Sequence, residues 1–147
     1  MKEMKIVKFT QDELIFNDDI FDDCEQIFLS KFPLEDYFDI TDYSGLTFWV
    51  AYLDEKMIGF GSLQSGLFYV LETIFIDEFE RGHYQIELCK HILSECDSDK
   101  TVWVYQALES DYKFYLEQGF ILYKDYGQFF DEGLDRTRYI LELKKEK

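Results

Sequence analysis

Apolar residues recur along this chain with two periods, one typical of strands and one typical of helices. Runs rich in β-branched and aromatic residues occupy positions 46–53, 57–64 and 68–76, which predicts three strands. Polar turns at residues 54–56 and 65–66 separate the three runs. The pattern therefore predicts an antiparallel meander in the first half of the chain.

The third of these runs leads through an acidic turn and Arg81-Gly82 into a helical pattern. Ile86, Cys89, Leu93 and Cys96 are spaced by 3, 4 and 3 residues, which predicts one apolar helix face. A strand that enters a helix through a short loop leaves backbone N–H groups unpaired beside the positive end of the helix dipole. The loop is therefore a candidate anion site.

The remaining elements follow from the same periodicities. Strands are predicted over residues 5–10, 101–105, 120–126 and 138–143, and helices over about 18–31, 34–40 and 110–119, with a connection over 127–137. Asp18 or Asp19 is the predicted cap of the first long helix, and Ser110 or Asp111 that of the last. Strand 101–105 should run parallel to strand 68–76, because a helix connects them within one sheet.

Composition bounds the size and class of the protein. The 147 residues are 47% hydrophobic and 19% aromatic, with one proline and eight glycines. This content suffices to bury one substantial core and is far from a disordered composition. We expect a single α+β domain over residues 1–147, with a mixed sheet of about six to seven strands flanked by helices.

The chain is strongly acidic, with 15 Lys and Arg against 31 Asp and Glu and a formal charge of −16. Such a charge repels nucleic-acid phosphates and anionic lipid surfaces, so neither is an expected partner. Cationic substrates or partners fit better. One alternative is that the acidity only keeps an aromatic-rich protein soluble. A further alternative is that the protein binds a partner by covering that partner's basic surface.

The three cysteines, Cys24, Cys89 and Cys96, lie in apolar helical patterns without close Cys or His partners. They are interpreted as buried small residues in a reducing cytoplasm, and no metal site is predicted. His83 and His91 are interpreted as surface residues. No apolar run approaches membrane-spanning length, so a cytoplasmic protein is expected.

The loop RGHYQI (81–86) and the segment DYKFYLEQGF (111–120) resemble two motifs of the GCN5-related N-acetyltransferase (GNAT) family. In that family a strand ends in a Q/R-x-x-G-x-G/A loop that opens a helix and binds the pyrophosphate of coenzyme A. Arg81 matches the first position, whereas Tyr84 and Ile86 stand where the family has glycine and glycine or alanine. The late helix of the family ends in Tyr-x-x-x-Gly-Phe, and the predicted order of elements also resembles the family over nearly the whole chain.

The resemblance implies a GNAT fold that uses acetyl-CoA as co-substrate. The backbone of the central strand would bind pantetheine, and the loop N–H groups would bind pyrophosphate. The implied binding residues are Ile74, Phe75 and Ile76 for pantetheine, and Arg81, Gly82, His83, Tyr84, Gln85 and Ile86 for pyrophosphate.

Two residues are candidates for catalysis. The resemblance implies that Tyr115 protonates the departing thiolate, although an aromatic residue between aromatic neighbours is also explained by packing. Glu72, amid apolar residues of the central strand, is the candidate general base because burial would raise its pKa. A solvated strand glutamate is the alternative, and in the family a water chain often serves as the base.

The function that these features imply is acetyl transfer to a primary amine of a small molecule or basic peptide by direct attack. The alternative is a non-catalytic binding or regulatory module of the same fold that has lost CoA binding, as Tyr84 and Ile86 suggest. The acceptor is not identified. Its pocket would be formed by segments 32–45 and 127–137, and the sequence pattern is least informative in these two segments. A homodimer through the exposed final strands is compatible with the pattern.

Overall fold

A mixed sheet of seven strands in the order β1-β2-β3-β4-β5-β7-β6 organises the chain. The computed structural model describes residues 2–31, 44–97, 99–131 and 134–144. Its elements are β1 (Lys5–Thr10), α1 (Gln11–Ile15), α2 (Asp18–Lys31), β2 (Leu46–Leu53), β3 (Lys56–Gln64), β4 (Tyr69–Phe75), a 3₁₀ turn (Asp77–Phe79), α3 (His83–Ser94), β5 (Thr101–Leu108), α4 (Glu109–Glu117), β6 (Ile121–Asp131) and β7 (Leu134–Lys144). The helix predicted over 34–40 lies outside the described residues.

The predicted meander is confirmed. β2 pairs with β3 and β3 with β4, both antiparallel, and β1 adds to the free edge of β2. Asp54 and Glu55 adopt positive φ values of 49° and 72° in the β2–β3 turn, as a tight hairpin requires. β5 pairs with β4 in parallel, as predicted, and α3 is the crossover helix.

Two apolar clusters cover the two faces of the sheet, because successive side chains of a strand point to opposite faces. Leu71 and Phe75 of β4 pack with α3 on one face. Ile74 of the same strand packs with α1 and α2, through Leu14 and Cys24, on the other face. β4 is therefore the shared wall of both cores.

The buried face of α3 differs from the predicted one. Gln85, Leu88 and Ile92 are almost fully buried together with Cys89, whereas Ile86 and Leu93 are only partly buried at the edge of the cluster. The helix packs on the sheet through the face that begins with Gln85. Because Gln85 is polar, the apolar pattern of the sequence did not indicate this face.

Two features near the N-terminus were not predicted. α1 begins with a capping box in which the Thr10 hydroxyl accepts from the Glu13 N–H at 3.1 Å and the Glu13 carboxylate accepts from the Thr10 N–H at 2.8 Å. The prediction that Asp18 or Asp19 caps α2 was wrong. Asn17 accepts a hydrogen bond from the Ile20 N–H at 3.3 Å instead, since the helix already begins at Asp18.

The C-terminal prediction was too short. β6 and β7 form one long antiparallel hairpin in which Gln128 pairs with Thr137, so residues predicted as a connection over 127–137 continue both strands up to residues 131 and 134. The end of α4 agrees with the prediction, since Gly119 adopts a φ of 98° just beyond the helix. α4 begins at Glu109, before either predicted cap.

Gly59 of β3 allows the ring of Phe75 to cross the strand. A Cβ at Gly59 would lie 2.5 Å from Phe75 Cγ and 2.7 Å from the Ile74 carbonyl oxygen. The close approach at Gly59 is therefore made by the neighbouring strand β4.

We expect Gly59→Ala to lower the free energy of unfolding by about 1–3 kcal/mol in a urea titration, because a backbone oxygen cannot yield as a flexible side chain can. Gly66→Ala is the matched control. Its Cβ would meet only the Phe68 carbonyl at 3.9 Å, so its effect should stay within about 0.5 kcal/mol. Equal effects of the two substitutions would contradict the packing argument.

Candidate functional site

The parallel strands β4 and β5 separate soon after they begin. Tyr69 pairs with Val102 and Val70 with Trp103, and the described register contains no further pair between these strands. Beyond this point an opening lies between the two strands at the centre of the sheet. We refer to this opening as the β4–β5 gap.

The backbone of β4 alternates between its two neighbours. The Ile76 N–H donates to the Ile58 carbonyl of β3 at 3.0 Å. Ile74 is two residues before Ile76 and pairs with Phe60 in the same register, so its N–H and C=O groups also face β3. The N–H and C=O groups of Thr73 and Phe75 therefore point the other way, towards the β4–β5 gap. Strand-like groups that lack a strand partner are suited to bind an extended, amide-containing ligand.

A chain of hydrogen bonds crosses the protein interior beside this gap. The Arg81 N–H donates to Gln85 Oε1 at 2.6 Å, and Gln85 Nε2 donates to Thr73 Oγ1 at 3.1 Å. Thr73 Oγ1 lies 2.9 Å from the hydroxyl of Tyr115. The chain joins the loop before α3, the strand β4 and the helix α4.

Tyr115 is held rigidly at the end of this chain. It is only 4% exposed, and its ring makes edge-to-face contacts with Phe114 and Phe120 at centroid distances of 5.2 and 5.6 Å. Burial, with smaller contributions from nearby anionic groups, raises the pKa of the phenol above its ordinary value. The hydroxyl therefore carries its proton at neutral pH, as a proton donor must.

Glu72 lies on the opposite face of β4 from Thr73. Its side chain reaches solvent, yet the surrounding protein desolvates the carboxylate and, with the negative charge of Asp111, raises its pKa to about 7. The carboxylate is therefore accessible to water and yet closely surrounded by protein. At neutral pH such a group exists in both protonation states, which suits a general base.

Alternating charges surround the carboxyl end of β4. Lys31 of α2 contacts Asp77 and also Glu80, the latter at 2.8 Å. Arg81 contacts Glu80 at 2.8 Å and Asp111 at 3.4 Å. Burial first, and then the charge of Glu80, raise the pKa of Asp111. Both of these carboxylates contact the Nη1 nitrogen of Arg81, so a phosphate at this site would share the guanidinium with them.

The N-terminus of α3 is open to an anion. Gly82 is its N-cap, no side chain caps it, and its first turn contains no acidic residue. A Cβ at Gly82 would meet only the Phe79 carbonyl at 3.7 Å. Arg81, rather than the glycine, adopts the left-handed conformation, with a φ of 59°, and its N–H is bound by Gln85. These features fit a pyrophosphate group at the helix N-terminus.

Tyr84, which stands at a glycine position of the resembled motif, is tethered to the N-terminal segment of the chain. Its hydroxyl donates to the Lys2 carbonyl at 2.8 Å, and its ring contacts Phe79 and His83 edge to face. Ile86 packs against the core. Both side chains are thus held by contacts within the protein.

The structure brings most of the predicted site residues to the carboxyl end of β4. Phe75 presents its backbone to the gap, whereas Ile74 and Ile76 present theirs to β3. His83 is exposed beside the helix end. Gln85 is buried and serves the internal hydrogen-bond chain.

The residues that sequence analysis missed are Thr73, Glu80, Asp111 and Lys31. Their signal is weak because threonine is ordinary in a strand and the three charged residues resemble a solvated surface. Gln85 carried a detectable signal: a polar residue at the buried spacing of Leu88 and Ile92 requires an internal partner.

The described part of the chain contains neither a candidate metal cluster nor a candidate membrane-spanning helix. No cluster of three or more His, Cys, Asp or Glu residues there is arranged to hold a metal ion, and none of its helices is long and apolar enough to cross a membrane. The three cysteines are buried thiols, and burial raises the pKa of Cys24 and of Cys89 to about 12.

Comparison of the whole chain with solved structures identifies the fold. Escherichia coli ElaA matches with a TM-score of 0.76 at 15% identity, over 95% of this chain and 99% of that chain. An acyl-CoA N-acyltransferase from Pseudomonas aeruginosa matches with a TM-score of 0.75 at 10% identity, over 95% and 99%. The spermidine N-acetyltransferase from Vibrio cholerae, in complex with CoA and spermine, matches with a TM-score of 0.66 at 15% identity, over 95% and 94%.

No protein-family model and no curated protein matches the sequence. The structural matches, the order of elements and the separated pair β4–β5 show that the chain has the acyl-CoA N-acyltransferase fold of the GNAT enzymes. The predicted α+β class is confirmed, and the described sheet contains seven strands.

The raised pKa of Glu72 has a consequence for stability. Because its folded-state value of about 7 exceeds the ordinary value of 4.5, the folded protein loses stability as pH rises through this window. We expect Glu72→Gln to raise the thermal midpoint by about 3 °C near pH 8 and by almost nothing near pH 4. Glu87→Gln, on the exposed face of α3, controls for the removal of one negative charge. A difference that is the same at both pH values would contradict the assigned environment.

Proposed function

We propose that this protein is an acetyl-CoA-dependent N-acetyltransferase that acts on a primary amine of a small molecule or basic peptide. The observation that carries this proposal is the arrangement of two proton-transfer groups around the β4–β5 gap. Tyr115 reaches Thr73 on one face of β4, and Glu72 projects from the adjacent position on the other face. A thioester in the gap would lie between a proton donor and a proton acceptor.

The chemistry requires each of these groups in a defined protonation state. The carboxylate of Glu72 accepts a proton from the amine as the amine nitrogen attacks the acetyl carbonyl carbon. The carbon–sulfur bond then breaks, its electron pair stays on sulfur, and Tyr115 transfers its phenolic proton to that sulfur. Water returns the proton from Glu72 to Tyr115, so that both groups regain their initial states.

The acidic surroundings favour a cationic acceptor. The charge of Asp111 is close enough to Glu72 to raise its pKa. A protonated amine that approaches these two carboxylates gains attraction from both, and it releases one proton to water to become the neutral nucleophile. The spermidine N-acetyltransferase of similar structure was solved with spermine, which is consistent with an amine acceptor.

A second function is a non-catalytic module of the same fold, which Tyr84 and the ion pairs of Arg81 favour. Arg81 is engaged by Glu80 and Asp111, whose negative charges offset the attraction that the guanidinium could offer to pyrophosphate. The two functions differ in whether acetyl-CoA binds. A binding measurement therefore separates them.

The N-cap of α3 provides this measurement. In calorimetric titrations with acetyl-CoA we expect micromolar binding by the wild type and similar binding by Gly82→Ala. Gly82→Asp should weaken binding by about tenfold or more, because its carboxylate takes the N–H groups that pyrophosphate needs and repels it. The Asp variant should remain folded, since aspartate at an N-cap stabilises a helix by about 1 kcal/mol.

The other outcomes decide between the two functions. If the wild type does not bind and Tyr84→Gly does, the non-catalytic module is the correct description. If the wild type binds and the Ala and Asp variants bind equally well, pyrophosphate does not use this helix end.

Acetyl transfer to a panel of amines tests the catalytic groups. We expect Tyr115→Phe to lower kcat by about 10²-fold with little change in the KM for acetyl-CoA. Tyr69→Phe is the matched control, since this buried hydroxyl accepts from the Asp97 N–H at 3.1 Å; it should alter kcat less than about twofold.

The wild-type kcat/KM should rise with pH through about 7, where Glu72 loses its proton, and Glu72→Gln should remove this inflection. An unchanged pH profile in Glu72→Gln would exclude Glu72 as the base.

A further inference from the structure

Gln85 is a buried polar side chain at a position where α3 otherwise packs apolar residues. Its side chain is only 2% exposed. It lies between the loop before α3 and the strand β4, on the same buried face of the helix as Leu88 and Ile92. Both ends of its amide are bound, one to the Arg81 N–H and the other to Thr73. Because an unsatisfied buried amide is costly, this pairing fixes the side chain in one orientation.

The direction of the chain follows from its first member. A backbone N–H can only donate, so Gln85 Oε1 must accept from Arg81. The amide nitrogen of Gln85 then faces Thr73 and must donate to Thr73 Oγ1. Thr73 has one proton of its own, and Tyr115 is the hydrogen-bond partner that the structure shows for it besides Gln85.

We propose that Gln85 and Thr73 are positioning residues that orient the hydroxyl of Tyr115, with Thr73 donating to the phenol oxygen so that the phenol proton is directed into the β4–β5 gap. This inference rests on the proposed acetyl transfer. Hydrogen bonds that run in one direction strengthen one another, and this direction continues from Arg81 through Gln85 to Thr73 and Tyr115.

The orientation matters at the step in which the carbon–sulfur bond breaks. If Tyr115 donated to Thr73, its proton would have to leave that hydrogen bond before it could reach sulfur. With Thr73 as the donor, the phenol proton moves directly to the sulfur that receives the electron pair. The phenolate that remains keeps the hydrogen bond from Thr73, which stabilises its new charge.

The experiment compares three substitutions at Thr73 and Tyr115, with the best amine from the panel as acceptor. We expect Thr73→Val to lower kcat by about tenfold while the KM for acetyl-CoA changes less than about twofold. Thr73→Ser keeps the hydroxyl and should retain kcat within about threefold of the wild type. In a Tyr115→Phe background, Thr73→Val should lower kcat no further than about twofold, since Thr73 acts through Tyr115.

Gln85→Met provides a second route, in case Thr73→Val does not fold. This variant keeps the length of the side chain and removes the donor to Thr73. It should lower kcat when Tyr115 is present, and it should leave kcat unchanged in the Tyr115→Phe background. The same losses in both backgrounds, or equal kcat values for Thr73→Ser and Thr73→Val, would overturn the positioning role while the proposed function stands. A wild type that transfers acetyl to no amine would overturn both.

Discussion

The limited pairing of β4 with β5 is the constraint on which the site depends. Two parallel strands joined by a crossover helix ordinarily continue side by side, but these pair only through Tyr69–Val102 and Val70–Trp103 in the described register. Beyond them β4 remains anchored on its other side by β3, so the opening forms without loss of the sheet. The unpaired edge of β4, the N-terminus of α3 and the ring of Tyr115 all meet beside that opening.

β4 also separates two chemical environments through the alternation of its side chains. Thr73 faces α3 and α4, where it joins a buried hydrogen-bond chain that ends at Tyr115. Glu72 faces the other way and is exposed to solvent, while desolvation by the surrounding protein and the charge of Asp111 raise its pKa to about 7. A single strand thus places a buried hydroxyl that contacts Tyr115 and a solvent-exposed carboxylate on adjacent residues, and a shift of one residue in its register would exchange the two environments.

The ion pairs at the carboxyl end of β4 place a condition on anion binding. Arg81 is held in a left-handed conformation and bound by Glu80 and Asp111. A pyrophosphate at the N-terminus of α3 would compete with these carboxylates for the guanidinium. The open N-cap at Gly82 and the backbone N–H groups do not require that exchange. The open N-terminus of α3 is therefore independent of the ion pairs of Arg81.

Local pattern was sufficient for much of the fold and for one catalytic candidate. The apolar run over Leu46–Leu53, the helical spacing of α2 and the glycine that ends α4 are properties of neighbouring residues, and the structure confirms them. Tyr115 could be named because it stands four residues before Gly119 in a motif. The sequence by itself therefore determined most of the elements, their order and the resemblance to GNAT enzymes, but neither α1 nor the full length of the final hairpin. Tertiary structure alone decided the contacts of Tyr84, the ion pairs of Arg81, and the hydrogen-bonded link from Gln85 through Thr73 to Tyr115. These features depend on contacts between residues that are distant in the chain.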